Sequence, residues 1–113
     1  MAIDCAAFRE LLERRLAEIA EEDRLSAGDR GPVALDQESV GRLSRIDAMQ
    51  MQAMALAQQR RRATERIAIH SALERIEGGE FGFCLSCGDA IAEARLRLNP
   101  TVVKCLGCAS SPD

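Results

Sequence analysis

The sequence predicts a mainly α protein, a long antiparallel helical hairpin of the coiled-coil type followed by a small module built on four cysteines. Three observations carry this prediction. Between positions 3 and 27, and again between 36 and 77, breakers are rare and apolar residues recur at helical spacing. Between those stretches, S-A-G-D-R-G-P-V-A-L at 26–35 holds two glycines and a proline, the chemistry of a turn. Beyond position 77, Gly78 and Gly79 end the second helix and a cysteine-rich segment begins at once. The expected organisation is a hairpin over residues 1–77, with its loop near 28–36, and a C-terminal module over 78–113.

In the first helix Phe8, Leu12, Leu16 and Ile19 follow steps of four, four and three, which places them on one face. Asp4 is the expected N-cap, and Arg9, Glu13, Arg14 and Glu18 fall on the solvated side at ion-pair spacing. Cys5 stands alone there and reads as an idle or buried thiol. Asp36 is the expected N-cap of the second helix, with Gln37 and Glu38 in its first turn. From there to Glu77 only Gly41 interrupts, so a helix of roughly 60 Å follows at 1.5 Å per residue.

The expected seam of this second helix runs through Leu43, Ile46, Met49, Ala53, Leu56, Ala63 and Ile67, then shifts to Ile69, Leu73 and Ile76. The shift implies a change of packing partner. Met49, Met51 and Met54 read as seam filler, and Arg60, Arg61, Arg62 and Arg66 as a solvated basic turn. His70, the only histidine, reads as a packing or surface residue.

Cys84 and Cys87 form one C-x-x-C and Cys105 and Cys108 a second, with seventeen residues between Cys87 and Cys105. Two residues between cysteines let a tight turn set both sulfurs on one side, so each pair supplies half of a tetrahedron for zinc. Gly88 follows directly, where positive φ turns backbone amides toward anionic sulfur. Four protein ligands leave no position for water or substrate, so the expected Zn2+ is a single structural ion. With one histidine and no glycine loop for phosphate, no catalytic constellation is present and the chain reads as a non-enzyme. Asn99 and Pro100 mark a turn, and Thr101 to Val103 is the expected short strand into Cys105.

Composition narrows the partners. A net charge of −3 and a pI near 5.2 repel phosphate backbones, which disfavours direct DNA binding. Phe8, Phe81 and Phe83 are the only aromatic residues, too few for a base-stacking surface. No apolar run is long enough to cross a bilayer, and M-A-I-D-C lacks the start of a signal peptide, so the expected compartment is the cytoplasm and no membrane contact is expected. A reducing compartment also favours zinc over disulfides.

From Leu73 to Cys108 the sequence L-E-R-I-E-G-G-E-F-G-F-C-L-S-C-G-D-A-I-A-E-A-R-L-R-L-N-P-T-V-V-K-C-L-G-C resembles the C4-type zinc finger of the DksA/TraR family. The resemblance covers the helix end, the aromatic-glycine step before Cys84, Ile91, Arg95 with Leu96, Pro100 and both cysteine pairs. It implies a bacterial regulator that binds RNA polymerase, its coiled-coil hairpin entering the secondary channel, with zinc holding the hairpin to its base. In that family the effect is linked to the alarmone ppGpp and to an acidic D-x-x-D-x-A motif at the hairpin tip. No such motif occurs here. The tip candidates are Asp36 at the predicted turn, Asp29 in the loop, and Asp47 in S-R-I-D-A-M, with Asp36 favoured because Gly and Pro locate the turn.

Two alternatives stand beside this. One is a coiled-coil interaction or assembly module that keeps a structural zinc site, suggested by the missing acidic motif and the unpaired length of the second helix. The other is a zinc-thiolate redox switch, in which oxidation of the cysteines ejects the metal and loosens the hairpin base.

Overall fold

The computed structural model describes residues 3–30 and 42–110. Its helices are α1 (Cys5–Leu25), α2 (Ala27–Arg30), α3 (Arg42–Glu77), α4 (Glu93–Leu98) and α5 (Leu106–Ala109). Among the described residues no strand forms, and the only β pairing is an antiparallel bridge between Phe83 and Ala90.

Local chemistry sets the helix ends. Asp4 caps α1, its Oδ1 accepting the Ala7 N–H at 3.2 Å. After a turn at Ser26 the backbone stays helical as far as Arg30, inside the stretch read from its glycine as loop. Asp36, Gln37, Glu38 and Gly41 lie outside the described residues, as does the side chain of Leu43. At the far end of α3, Gly79 takes φ 75° and the Glu80 N–H donates to the Arg75 carbonyl at 2.8 Å, a Schellman closure.

The chain divides into two compact units, one formed by Met1–Leu16 with Arg66–Asp113, the other by Ala17–Glu65. In the first, the start of α1 packs on the end of α3 and on the cysteine module. Phe8, Leu12, Ile69, Ala72, Ile76, Phe81, Ile91 and Leu96 are buried together. The Phe8 and Phe81 rings lie 5.3 Å apart between centroids at 48°, and Arg9 Nη2 reaches Glu77 Oε1 at 2.6 Å. In the second unit the buried residues are Ile19, Ala55 and Arg62, and Arg62 Nε reaches Asp23 Oδ1 at 2.5 Å. In each unit the pairing is between α1 and α3.

Two expectations for α3 fail here. The first part of the row read as the seam faces outward, with Ile46 43% exposed, Met49 55% and Ile67 72% and only Leu56 half-buried, whereas Ile69 and Ile76, to which the expected seam shifts, are buried. The buried row is Ala55, Arg62, Ile69 and Ile76, one heptad apart throughout. α3 is a continuous helix, so the phase set by Ile69 and Ile76 in the aromatic core propagates back to Arg62 and Ala55. Arg62 is therefore buried, not part of a solvated basic turn; Arg60 and Arg61 remain exposed.

The strand expected over Thr101 to Val103 does not form. Thr101 and Val102 turn back on Asn99, the Val102 N–H donating to its carbonyl at 3.1 Å and the Thr101 N–H to its Oδ1 at 3.2 Å. The one backbone bond to a distant residue runs from the Leu85 N–H to the Val103 carbonyl at 2.8 Å. A single bond to a turn gives no ladder, and β-branched residues alone do not make a strand without a partner.

Candidate metal centre

The cysteine pairs reach each other through two short pieces of backbone. Cys84 opens a turn in which the Gly88 N–H returns to the Cys84 carbonyl at 2.9 Å and the Cys84 N–H reaches the Asp89 carbonyl at 2.8 Å. Gly88 holds φ 79°, the left-handed conformation expected of it, and this closes the knuckle. Outside the turn, the Ile91 N–H donates to the Gly82 carbonyl at 2.7 Å and locks the two arms. The second pair sits at the start of α5, where the Ala109 N–H reaches the Cys105 carbonyl at 2.9 Å. Arg95 on α4 steadies that approach, its Nε donating to the Lys104 carbonyl at 3.0 Å.

The four Sγ atoms all lie within 4.8 Å of one another. Cys87 Sγ and Cys105 Sγ are 3.7 Å apart, close to the edge of about 3.8 Å that a zinc tetrahedron with Zn–S near 2.3 Å requires. All five cysteines are free thiols. Cys84 is buried, Cys105 and Cys108 are half-buried and Cys87 is exposed.

Electrostatics of the four thiols point the same way. Backbone amides of Cys105, Cys87 and Ser86 converge on Cys84 and pull its pKa down to about 6. Asp89 N–H draws Cys87 down as well, but the Cys84 thiol, burial and the Cys105 thiol outweigh it and leave Cys87 raised. Cys108 is pushed up to about 12 by the neighbouring Cys105, Cys84 and Cys87 side chains. Four sulfurs this close cannot all ionise without a cation, and a divalent one reverses the order and makes every thiolate favourable. The cluster fits one structural zinc ion.

The other residues singled out from the sequence fall elsewhere. Cys5 opens α1 and does not join the cluster. His70 is exposed and lines a cleft of about 310 Å³ with Arg9, Glu13, Leu73, Glu74 and Glu77. Among the tip candidates, Asp47 is an exposed residue of α3, Asp29 belongs to the α2 backbone, and Asp36 lies outside the described residues.

Two features escaped the sequence reading. One is an apolar groove of about 410 Å³ on the zinc module, between α4 and α5, where Leu98 is 89% and Leu106 68% exposed. Its lining comes from separate short segments, so no periodicity announces it. The other is the buried Arg62, whose signal was its position one heptad before Ile69.

Residues 79–112 match the family model described as the prokaryotic dksA/traR C4-type zinc finger. The whole structure is similar to that of the transcription factor DksA2 from Pseudomonas aeruginosa, with a TM-score of 0.72 and 25% sequence identity. That likeness covers 93% of this chain and 79% of the other. No curated protein sequence matched. Among the described residues, no helix is long and apolar enough to cross a membrane.

Proposed function

We propose that this chain, a member of the DksA/TraR family by its zinc finger and its fold, regulates transcription by binding RNA polymerase through the secondary channel with its helical hairpin, not by binding DNA. One conjunction carries the reading: a DksA/TraR zinc finger over residues 79–112 on a chain whose fold, over 93% of its length, is similar to a transcription factor. The net charge of −3 supports a protein partner over a phosphate backbone. Cys84, Cys87, Cys105 and Cys108 serve as the ligands of the structural zinc, and the cytoplasm is the compartment. Labour divides between the module at 78–113, which anchors, and the hairpin at 1–77, which acts.

The family's D-x-x-D-x-A motif is absent, so another carboxylate has to work at the hairpin end. We take Asp36 for that role, ahead of Asp29 and Asp47, with ppGpp as co-effector. The experiment is retention of the zinc-loaded protein on purified core RNA polymerase, then transcription with and without ppGpp. Asp36→Ala should weaken the transcriptional effect more than Asp47→Ala. The reverse order moves the working carboxylate onto α3, and no association at micromolar protein sinks the polymerase reading.

The outward row of α3 favours a second reading, a coiled-coil assembly module. Ile46, Met49, Ala53 and Leu56 keep three-and-four spacing on α3, the first three exposed and Leu56 half-buried. Sedimentation decides it: a dimer abolished by Met49→Glu supports assembly, and a monomer at every accessible concentration removes it.

A further inference from the structure

Arg62 is the only buried charged side chain among the described residues, at 9% exposure. Its guanidinium is gripped from two directions. Nε donates to Asp23 Oδ1 at 2.5 Å, and Nη2 donates to Ser26 Oγ at 3.0 Å. The Ser26 hydroxyl in turn donates to the Asp23 carbonyl at 3.4 Å, so both acceptors are fixed relative to each other at the end of α1.

What surrounds this cluster makes it decisive. Around it on α3, Ala48, Gln52, Leu56 and Gln59 are half-buried and only Ala55 is buried. Among the described residues, Ile19 on α1 is the one large fully buried apolar side chain of this unit, and non-directional burial of so few apolar groups leaves more than one helix alignment at similar free energy. A guanidinium fork behaves differently. Its donors have fixed directions, so the two acceptors must be met together. Slipping by one turn, about 5.4 Å, takes the guanidinium of Arg62, whose side chain is only 11% exposed, off both acceptors. One alignment satisfies the cluster and its neighbours do not.

We propose that Arg62, Asp23 and Ser26 form a register pin, which fixes the alignment of α1 and α3 in the second unit. The pin itself stands on geometry alone; its transcriptional consequence rests on the polymerase reading above. Arg62 is a positioning residue on this view and touches no partner.

The test separates positioning from stability. Replacing the charge cluster by apolar residues of similar size, Arg62→Met with Asp23→Leu, removes the pin while keeping the contact filled, an exchange that is often neutral or stabilising. Nitroxide labels are carried at the exposed positions of Ala20 and Gln58, attached through a ketone-bearing residue so that the thiols stay untouched. Pulsed dipolar spectroscopy should give one narrow distance distribution in the parent. The double variant, with an equal or higher melting temperature and unchanged zinc content, should give a broadened or split one, displaced by about one helical turn. Arg62→Lys, which keeps the charge but cannot engage both acceptors, should broaden the distribution in the same sense and covers the case in which the double variant fails to fold. A narrow, unshifted distribution in either folded variant overturns the pin. In transcription with purified polymerase, the variants should lose about tenfold in effect at equal stability. A broadened distribution with undiminished effect overturns the positioning role. A parent that never engages polymerase removes the polymerase reading and leaves the spectroscopic result to decide the pin alone.

Discussion

The two compact units are built from the same two helices but held by different physics. The first joins the start of α1 and the end of α3 to the zinc module. It buries two aromatic rings and six aliphatic side chains beside a metal site. The second has Ile19, Ala55 and a charge cluster. Hydrophobic burial is non-directional and makes the first unit stable, whereas a buried guanidinium contributes little net stability and, as proposed for Arg62, sets the alignment. Within one helical pair, strength and alignment are therefore assigned to different residues.

The largest expected effect comes from the metal. Cys84→Ser removes a ligand whose site is worth on the order of 10 kcal/mol when zinc folds the module. Zinc content should fall from one per chain to near zero, and the first unit should lose its hydrogen-exchange protection while the second keeps more of its own. Equal loss in both would dissolve the comparison.

Acid probes the same centre. Zinc competes with protons for thiolate, and Cys84, pulled down to about 6, is the sulfur that recovers its proton last as pH falls. The bound cation lowers that value further. Zinc should stay bound at pH 7 and be released only below about pH 6, as followed with a chromogenic chelator. Release between pH 7 and 8 would show that the amides of Cys105 and Cys87 do not stabilise the thiolate.

A matched pair of core truncations sharpens the contrast. Phe81→Ala should cost about 4 kcal/mol and Ile19→Ala about 3 kcal/mol. The informative measurement is where the loss appears: hydrogen exchange should rise in the zinc-bearing unit for the first and in residues 17–65 for the second. Smallest of all, Arg9→Ala should change stability by less than about 1 kcal/mol, because both partners of the Arg9–Glu77 pair are well exposed. A larger loss on thermal unfolding would mean that the pair orients the helices.

How much was legible followed from how local the signal was. The zinc cluster was readable because its geometry is encoded in two four-residue turns and one glycine, Gly88, whose φ of 79° is what the knuckle needs. The Asp4 cap and the Gly79 stop were readable for the same reason. The seam of α3 was legible only at its end, where Ile69 and Ile76 are buried as expected. Ile46, Met49, Ala53, Leu56 and Ala63 make a better apolar heptad row than Ala55 and Arg62 do, and periodicity says only that a face exists. Which face turns inward was decided far along the chain, by Ile69 and Ile76 locking into the Phe8–Phe81 core. Thr101 to Val103 failed for a related reason, since a strand needs a neighbour that short-range pattern cannot supply.

The discontinuity of the first unit carries a consequence for the order of assembly. Its cross-helix contact joins Arg9 and Glu77, 68 residues apart in sequence, whereas the Arg62–Asp23 contact spans 39 and lies within one unbroken segment. As a ribosome delivers the chain from its N-terminus, the second unit is complete when Glu65 emerges, well before Phe81 or any zinc ligand. Helix alignment is thus available to be chosen early, by a guanidinium and two oxygens, and the metal arrives afterwards to close a structure whose register has already been set.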